Sequence, residues 1–216
     1  MPLAFFCKLL TLTVVLLQVG CVTGTRSIAL EVPAQPTVSA ASGTVFIGEI
    51  VDNRVFEQKP AQASTPSVAG NLAETNAEQR SRLIGRQRNG YGKAMGDVAL
   101  AGDSTVQQEV RKLLVEGFSA RGYEISETPD SDVQIHVSIE KFWGWFRPGF
   151  VKIGFESDVD CALEVDSAGR KQSISVAGKG LNNGQVASDA NWQLSFKRAY
   201  ADFLNNLGSA LEQAGL

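Results

Sequence analysis

Apolar and polar residues alternate most regularly between residues 131 and 180. Val133, Ile135, Val137 and Ile139 occupy every second position. So do Val151, Ile153 and Phe155, then Val159, Cys161, Leu163 and Val165, and Ile174 and Val176 continue the row. Successive side chains of a strand point to opposite faces, so this period predicts an antiparallel meander with one buried face. Turns are expected at 143–149 and at Asp166-Ser167-Ala168-Gly169. Pairing Val137 with Phe155 and Ile139 with Ile153 gathers the apolar residues of the first hairpin on one side. In the second hairpin, Glu164 opposite Lys171 brings Cys161 beside Ile174. The outward row then reads His136, Glu156 and Lys179, and Asp132 faces Asp160.

Two segments carry the helical period instead. Val106, Val110, Leu113, Leu114 and Phe118 share one face after a cap at Asp103, Ser104 or Thr105, and Gly122 supplies a left-handed end. From about Asp189, Trp192, Phe196, Tyr200, Phe203, Leu207 and Leu211 form a second stripe. Short strands are expected at 26–32, 44–51 and 123–126, and Asn89-Gly90 marks a tight turn within 84–100. Two amphipathic helices on one face of a half-polar meander predict an α+β fold, a two-layer sandwich. Pro33 to Gly43 is rich in Pro, Ala and Ser and reads as a linker. Residues 58–82 are polar and poor in aromatics, which predicts a mobile insertion, with a weak helix over Glu74 to Arg82.

The N-terminus changes the picture from fold to address. Lys8 is its only charge, and Leu9 to Leu17 form an apolar run too short to span a bilayer, so residues 1–20 read as an export signal. Gly20 then precedes Cys21, which resembles a lipobox, although Gln18 stands where that pattern has an aliphatic residue. The expectation is a lipidated Cys21, a tether and linker over 21–43, and one domain over 44–216. The alternative is ordinary signal cleavage. Val22, not Asp, follows the cysteine, and by the sorting rule of bacterial lipoproteins this implies the outer membrane. With Cys7 removed and Cys21 acylated, Cys161 has no disulfide partner. One His and no paired cysteines give no metal site, and a formal charge of -3 argues against a nucleic-acid partner. No cofactor motif stands out either, since the GYGK of residues 90–93 runs into Ala94 and not Ser or Thr.

STVQQEVRKLLVEGFSARGYEI, followed by SDVQIHVSIEKFW, resembles the YajG-like bacterial lipoprotein family. Over about residues 40–212 the order of strand, helix with an Arg-Gly-Tyr turn, meander and closing helix is similar. The resemblance implies an outer-membrane lipoprotein facing the periplasm, a binding or structural module with no catalytic residues to carry over. The element order also looks like that of accessory lipoprotein subunits of ABC-type envelope lipid-transport systems.

Three groups could carry chemistry. Arg86, Arg88 and Lys93 flank glycines in one loop, where cations and exposed amides suit an anion such as a lipid phosphate; a solvated hairpin with charged edges is the other reading. Phe142, Trp143, Trp145, Phe146 and Phe150 crowd one expected turn with Arg147, which suits a membrane or protein contact; alternatively the turn folds back over the sheet or under the insertion. His136 on the acidic outward face would serve a hydrolase only with a nucleophile beside it.

Overall fold

The computed structural model describes residues 24–37, 43–89, 93–147, 149 and 152–216. The signal segment, Cys21, Gly90 and Phe150 lie outside the described residues. Among the described residues, eight strands form one curled, mixed sheet: β1 (Arg26–Ile28), β2 (Gly43–Asp52), β3 (Leu83–Arg88), β4 (Ala94–Leu100), β5 (Tyr123–Ser126), β6 (Val133–Arg147), β7 (Ile153–Ser167) and β8 (Arg170–Gly184). The helices are α1 (Ala77–Arg82), α2 (Val106–Ala120) and α3 (Asp189–Ala214).

β6 organises the sheet. One of its edges pairs with β7 along the whole length, antiparallel. The other edge is shared: β2 runs parallel to Val133–Ile139, and β3 meets it in parallel at Gly85 opposite Gly144. β2 carries β5 in parallel, and β3 carries β4 and then β1. The sheet is therefore mixed. The antiparallel meander expected from the alternation is confined to β6–β8, with β3–β4 as a separate hairpin. Gly85 and Gly144 permit the branch: a Cβ on Gly85 would lie 2.7 Å from the Gly144 carbonyl oxygen, and one on Gly144 would lie 2.9 Å from the Phe196 ring.

A single extra residue sets which side chains of β6 point where. Ile139 opposes Cys161 and Lys141 opposes Asp160, so Glu140 is a bulge. Before it, Val133, Ile135, Val137 and Ile139 face the helices. After it the parity changes, so that Phe142 and Phe146 face the helices while Trp143 and Trp145 face the other side. On the helix side, α2 packs over β2 and β5, and α3 over β7 and β8. Phe142 stacks on Phe196 and meets Tyr200 edge-on, and Trp192 meets Phe155 edge-on. Both helices begin where a side chain can satisfy their first amides. Thr105 and Gln108 form a capping box for α2, and the Ser188 side chain accepts from Asn191 N–H for α3. Gly122, with φ of 86°, follows the end of α2 as expected.

Two registers differ from expectation. β6 continues through the expected 143–149 turn, and its connection to β7 comes after Arg147. Val137 therefore pairs with Leu163 and Ile139 with Cys161, not with Phe155 and Ile153. The β7–β8 turn has two central residues, Ala168 and Gly169, both with positive φ. That shorter turn pairs Asp166 with Lys171 and Glu164 with Ser173, and it sets Cys161 opposite Val176.

The segment expected to be a mobile insertion has a definite course. Residues 53–76 form a strap across the side of the sheet away from α2 and α3, its helix-free side, and lead into α1. Its short 3-10 turn spans Leu72–Glu74, and Asn76 and Gln79 form a capping box that starts α1. Its hydrophobic residues were too sparse to announce a core, but they need cover only two rings. Phe56, Ala63, Val68 and Leu72 close over Trp143 and Trp145 together with Leu83 and Ala99. Trp143 Nε1 donates to the Ala63 carbonyl oxygen at 3.2 Å, and Phe56 meets the Trp143 ring edge-on. Arg54 fastens the start of the strap. Its guanidinium grips the Asp52 carboxylate through Nε at 2.7 Å and Nη2 at 2.8 Å, and donates to the carbonyl oxygens of Leu83, Phe142 and Arg80 at 2.6, 3.0 and 2.8 Å. Every arm of the fork has a partner although the side chain is buried.

Residues 26–37, expected as tether and linker, are also built into the body. β1 pairs with β4, Leu30 and Val32 pack against the core, and Gln35 N–H donates to Glu116 at 2.5 Å.

Candidate anion-binding cavity

The β3–β4 hairpin positions three cations at one end of the sheet. Asn89 N–H donates to the Lys93 carbonyl oxygen, and Lys93 N–H returns to Asn89 Oδ1, both at 2.9 Å. Arg88 is set opposite Ala94, and Arg86 opposite Asp97. The strap passes over this hairpin and adds Lys59, whose backbone turns through a φ of 55°, and the stretch Ser67 to Ala69. The result is a cavity of about 430 Å³ lined by Lys59, Arg86, Arg88 and Lys93. Sequence reasoning named the last three. It missed Lys59, which stands far away in the chain and is brought there only by the course of the strap.

The Asp97 carboxylate stands beside Arg86. Asp97 Oδ2 accepts from Ala69 N–H at 3.1 Å, and Asp97 Oδ1 lies 3.6 Å from Arg86 Nε. Burial raises the Asp97 carboxyl above the usual carboxylate range, while the Ala69 amide and the Arg86 charge oppose that rise. Burial also lowers Arg86, against the pull of Asp97 and with a further push from Arg88. Arg86 is buried and forms the floor, with Asp97 buried beside it, and the exposed Lys59 and Lys93 form the rim. An anion entering would meet a net positive wall with an arginine behind it.

The aromatic candidates are placed differently from expectation. Phe142 and Trp143 are fully buried, and Trp145 and Phe146 nearly so. They form no exposed tip, because the strand continues past them and both of its faces are covered, one by α3 and one by the strap. Lys141 lies over the Trp145 ring, 5.1 Å from its centroid. Of the described members of that set, Arg147 is open, 72% exposed and bonded to Glu156 at 2.7 Å.

His136 lies on the open part of the helix-free side, opposite Glu164 and not Glu156, with Ser173 one strand further. A shallow cavity of about 390 Å³ lies there, lined also by Gln134, Asp166 and Lys171. Glu164 stands between Ser173 and His136, so the Ser173 hydroxyl is one strand removed from the imidazole. Asp132 does not face Asp160. It accepts from the Thr44 amide and hydroxyl at 2.8 and 2.9 Å, which holds it below the usual carboxylate range. Cys161 is buried and its thiol is pushed far up, which makes it inert. Among the described residues no three His, Cys, Asp or Glu side chains gather as a metal site would need. No helix among them is long and apolar enough to cross a membrane.

The model of a family described as uncharacterized lipoprotein matches residues 79–209, from α1 to the last turns of α3. The chain belongs to this family. As a bacterial lipoprotein it is an anchored protein of the cell envelope. No curated protein matches the chain. Solved structures similar to it include these two. One is a protein of the DUF330 family from Xanthomonas campestris, 9% identical, with 88% of this chain and 91% of that one covered and a TM-score of 0.43. The other is an uncharacterized protein, 12% identical, with 88% and 99% covered and a TM-score of 0.41.

Proposed function

We propose that this lipoprotein is a binding module of the bacterial outer membrane, anchored through Cys21 and facing the periplasm, and that it holds an anionic ligand in the cavity of Lys59, Arg86, Arg88 and Lys93. The observation that carries this reading is the convergence itself. Two segments separated in sequence, the strap and the β3–β4 hairpin, place four cations around one space, with the Asp97 carboxylate beside Arg86. Like charges repel, and a fold brings them together at a cost that an anion would relieve. The mixed-charge cavity near His136 has no such bias.

The test is calorimetric titration of the folded domain with inorganic phosphate and with glycerol 3-phosphate. Saturable binding that weakens with salt is expected. Lys59→Gln with Lys93→Gln, both on the exposed rim, should lower the affinity about tenfold, the scale of one lost charge-assisted contact. Equal binding by the double variant, or no saturable binding of either probe, would reject the cavity as the site.

A further inference from the structure

A lipid anchor on Cys21 would leave only a short covalent tether. Gly24 is already held: Gln87 Nε2 donates to its carbonyl oxygen at 3.1 Å, and that oxygen abuts Gly96 on β4. Only Val22 and Thr23 separate Gly24 from Cys21. Three residue steps span at most about 11 Å. An acyl chain on Cys21 therefore brings the membrane surface to the end of the sheet from which Gly24 emerges.

The strand registers show what else lies at that end. β3 runs parallel to β6, so Arg88 at the end of β3 and Arg147 at the end of β6 lie at the same end of the sheet. Ala94 stands opposite Arg88, with Lys93 just beyond. Across the next hairpin, Ile153 opposes Gly184, which sets exposed Lys152 and the end of β8 there as well. Two large apolar side chains are open beside them, Leu181 at 52% and Val186 at 65%. Of the carboxylates near by, Glu156 is bonded to Arg147, and Asp189 is bonded to Arg26 at 2.5 Å. The opposite end, before β6 begins, carries Glu127, Asp130, Asp132 and Asp166 together with Arg170 and Lys171 of the β7–β8 turn. The molecule is thus polarised, basic where the tether leaves and of mixed charge at the far end.

We infer that the lipoprotein docks by this end, with Lys93, Arg147 and Lys152 against anionic headgroups and Leu181 and Val186 at the interface. Cations among apolar side chains suit headgroup depth, and one acyl chain plus a basic surface gives a firmer hold than either alone. The inference rests on the Cys21 anchor of the proposed function and extends it to an orientation. The anion cavity then opens beside the headgroups.

The test uses the full acylated chain in vesicles of phosphatidylglycerol and phosphatidylethanolamine. A bimane label is placed on Val186→Cys or on Asp130→Cys; buried Cys161 stays unlabelled. Spin-labelled lipid should quench the Val186 label several-fold more than the Asp130 label. Equal quenching would overturn the orientation while leaving the anchor intact. Shielding of the Val186 label only after envelope proteins are added would make this end a protein interface and also overturn it. The anchor is checked separately, because Cys21→Ala should leave the membrane fraction of cells, and retention there would remove the premise. The unacylated chain should still bind phosphatidylglycerol vesicles weakly at low salt. Lys93→Gln, Arg147→Gln and Lys152→Gln together should abolish that binding. Equal binding to vesicles without phosphatidylglycerol, or none to those with it, would reject recognition of the anionic surface.

Discussion

On the helix-free side of the sheet, Trp143 and Trp145 lie sealed under the strap, while about 20 Å along the same strand His136 stands open among Glu164, Ser173 and Gln134. Both regions belong to β6 and share its pairing with β7. They differ in what covers them. The closed half is a second, small core of two indoles, Leu83 and the sparse apolar residues of the strap, pinned by Arg54. The open half is solvated and has nothing to bury. On its helix-free face the strand therefore has a stability-determining stretch and a stretch where side chains are free to change, and the bulge at Glu140 is the boundary.

The widest gap between the halves should appear on truncation. Trp143→Ala removes a fully buried ring that carries a hydrogen bond to Ala63, and a loss of about 3–5 kcal/mol is expected. His136→Ala should stay within about 0.5 kcal/mol. Urea unfolding of the two variants measures the contrast directly. Comparable losses would show that the closed half is no core.

Next in size is the fastening. Arg54→Ala leaves the Asp52 carboxylate and three carbonyl oxygens without their donor. Removing one partner of a buried ion pair costs about 3 kcal/mol or more. Because Arg54 lies at the root of the strap, proteolysis within 58–82 should become fast in this variant and remain slow in the wild type. A strap cut equally fast in both would mean that Arg54 does not hold it.

The two halves were also unequally legible in the sequence. On the open half, period two ran unbroken from Val133 to Ile139, so strand and buried face could be read directly. At Glu140 the bulge reversed the parity, and Phe-Trp-Gly-Trp-Phe then placed rings on both faces in turn. A run that is apolar at every position cannot show alternation, and with Gly144 and Gly149 in it the stretch resembled a turn. The misplaced turn carried the β6–β7 register with it. The strap was hidden for the complementary reason. Its own composition could not support a core, and it is ordered by rings it does not contain. Arg86, Arg88 and Lys93 could be picked out because they are neighbours along the chain. Lys59 could not, because its place in the cavity depends on the strap, and neither could Arg54, whose partners lie at positions 52, 80, 83 and 142.

The smallest expected effect lies on the boundary and has the opposite sign. Asp160 points to the helix-free side opposite Lys141, next to the closed half. Its Oδ1 is buried without a hydrogen bond, and burial followed by the nearby Asp158 raises its carboxyl above the usual range, with Lys141 and Lys179 opposing. A carboxyl raised in the folded state disfavours folding when charged. That penalty is full above the folded value and disappears as pH falls toward the unfolded value of about 3.9. Asp160→Asn should therefore be slightly more stable than wild type at pH 7, by a few tenths of a kcal/mol, since solvent reaches part of the site. The advantage should shrink steadily as pH is lowered through the acid range, where the wild-type carboxyl takes up its proton. Urea midpoints at pH 7 and pH 4 read both points. An Asn variant less stable at pH 7 would show that Lys141 and Lys179 outweigh burial at this position. The boundary would then belong electrostatically to the open half, although its backbone adjoins the closed one.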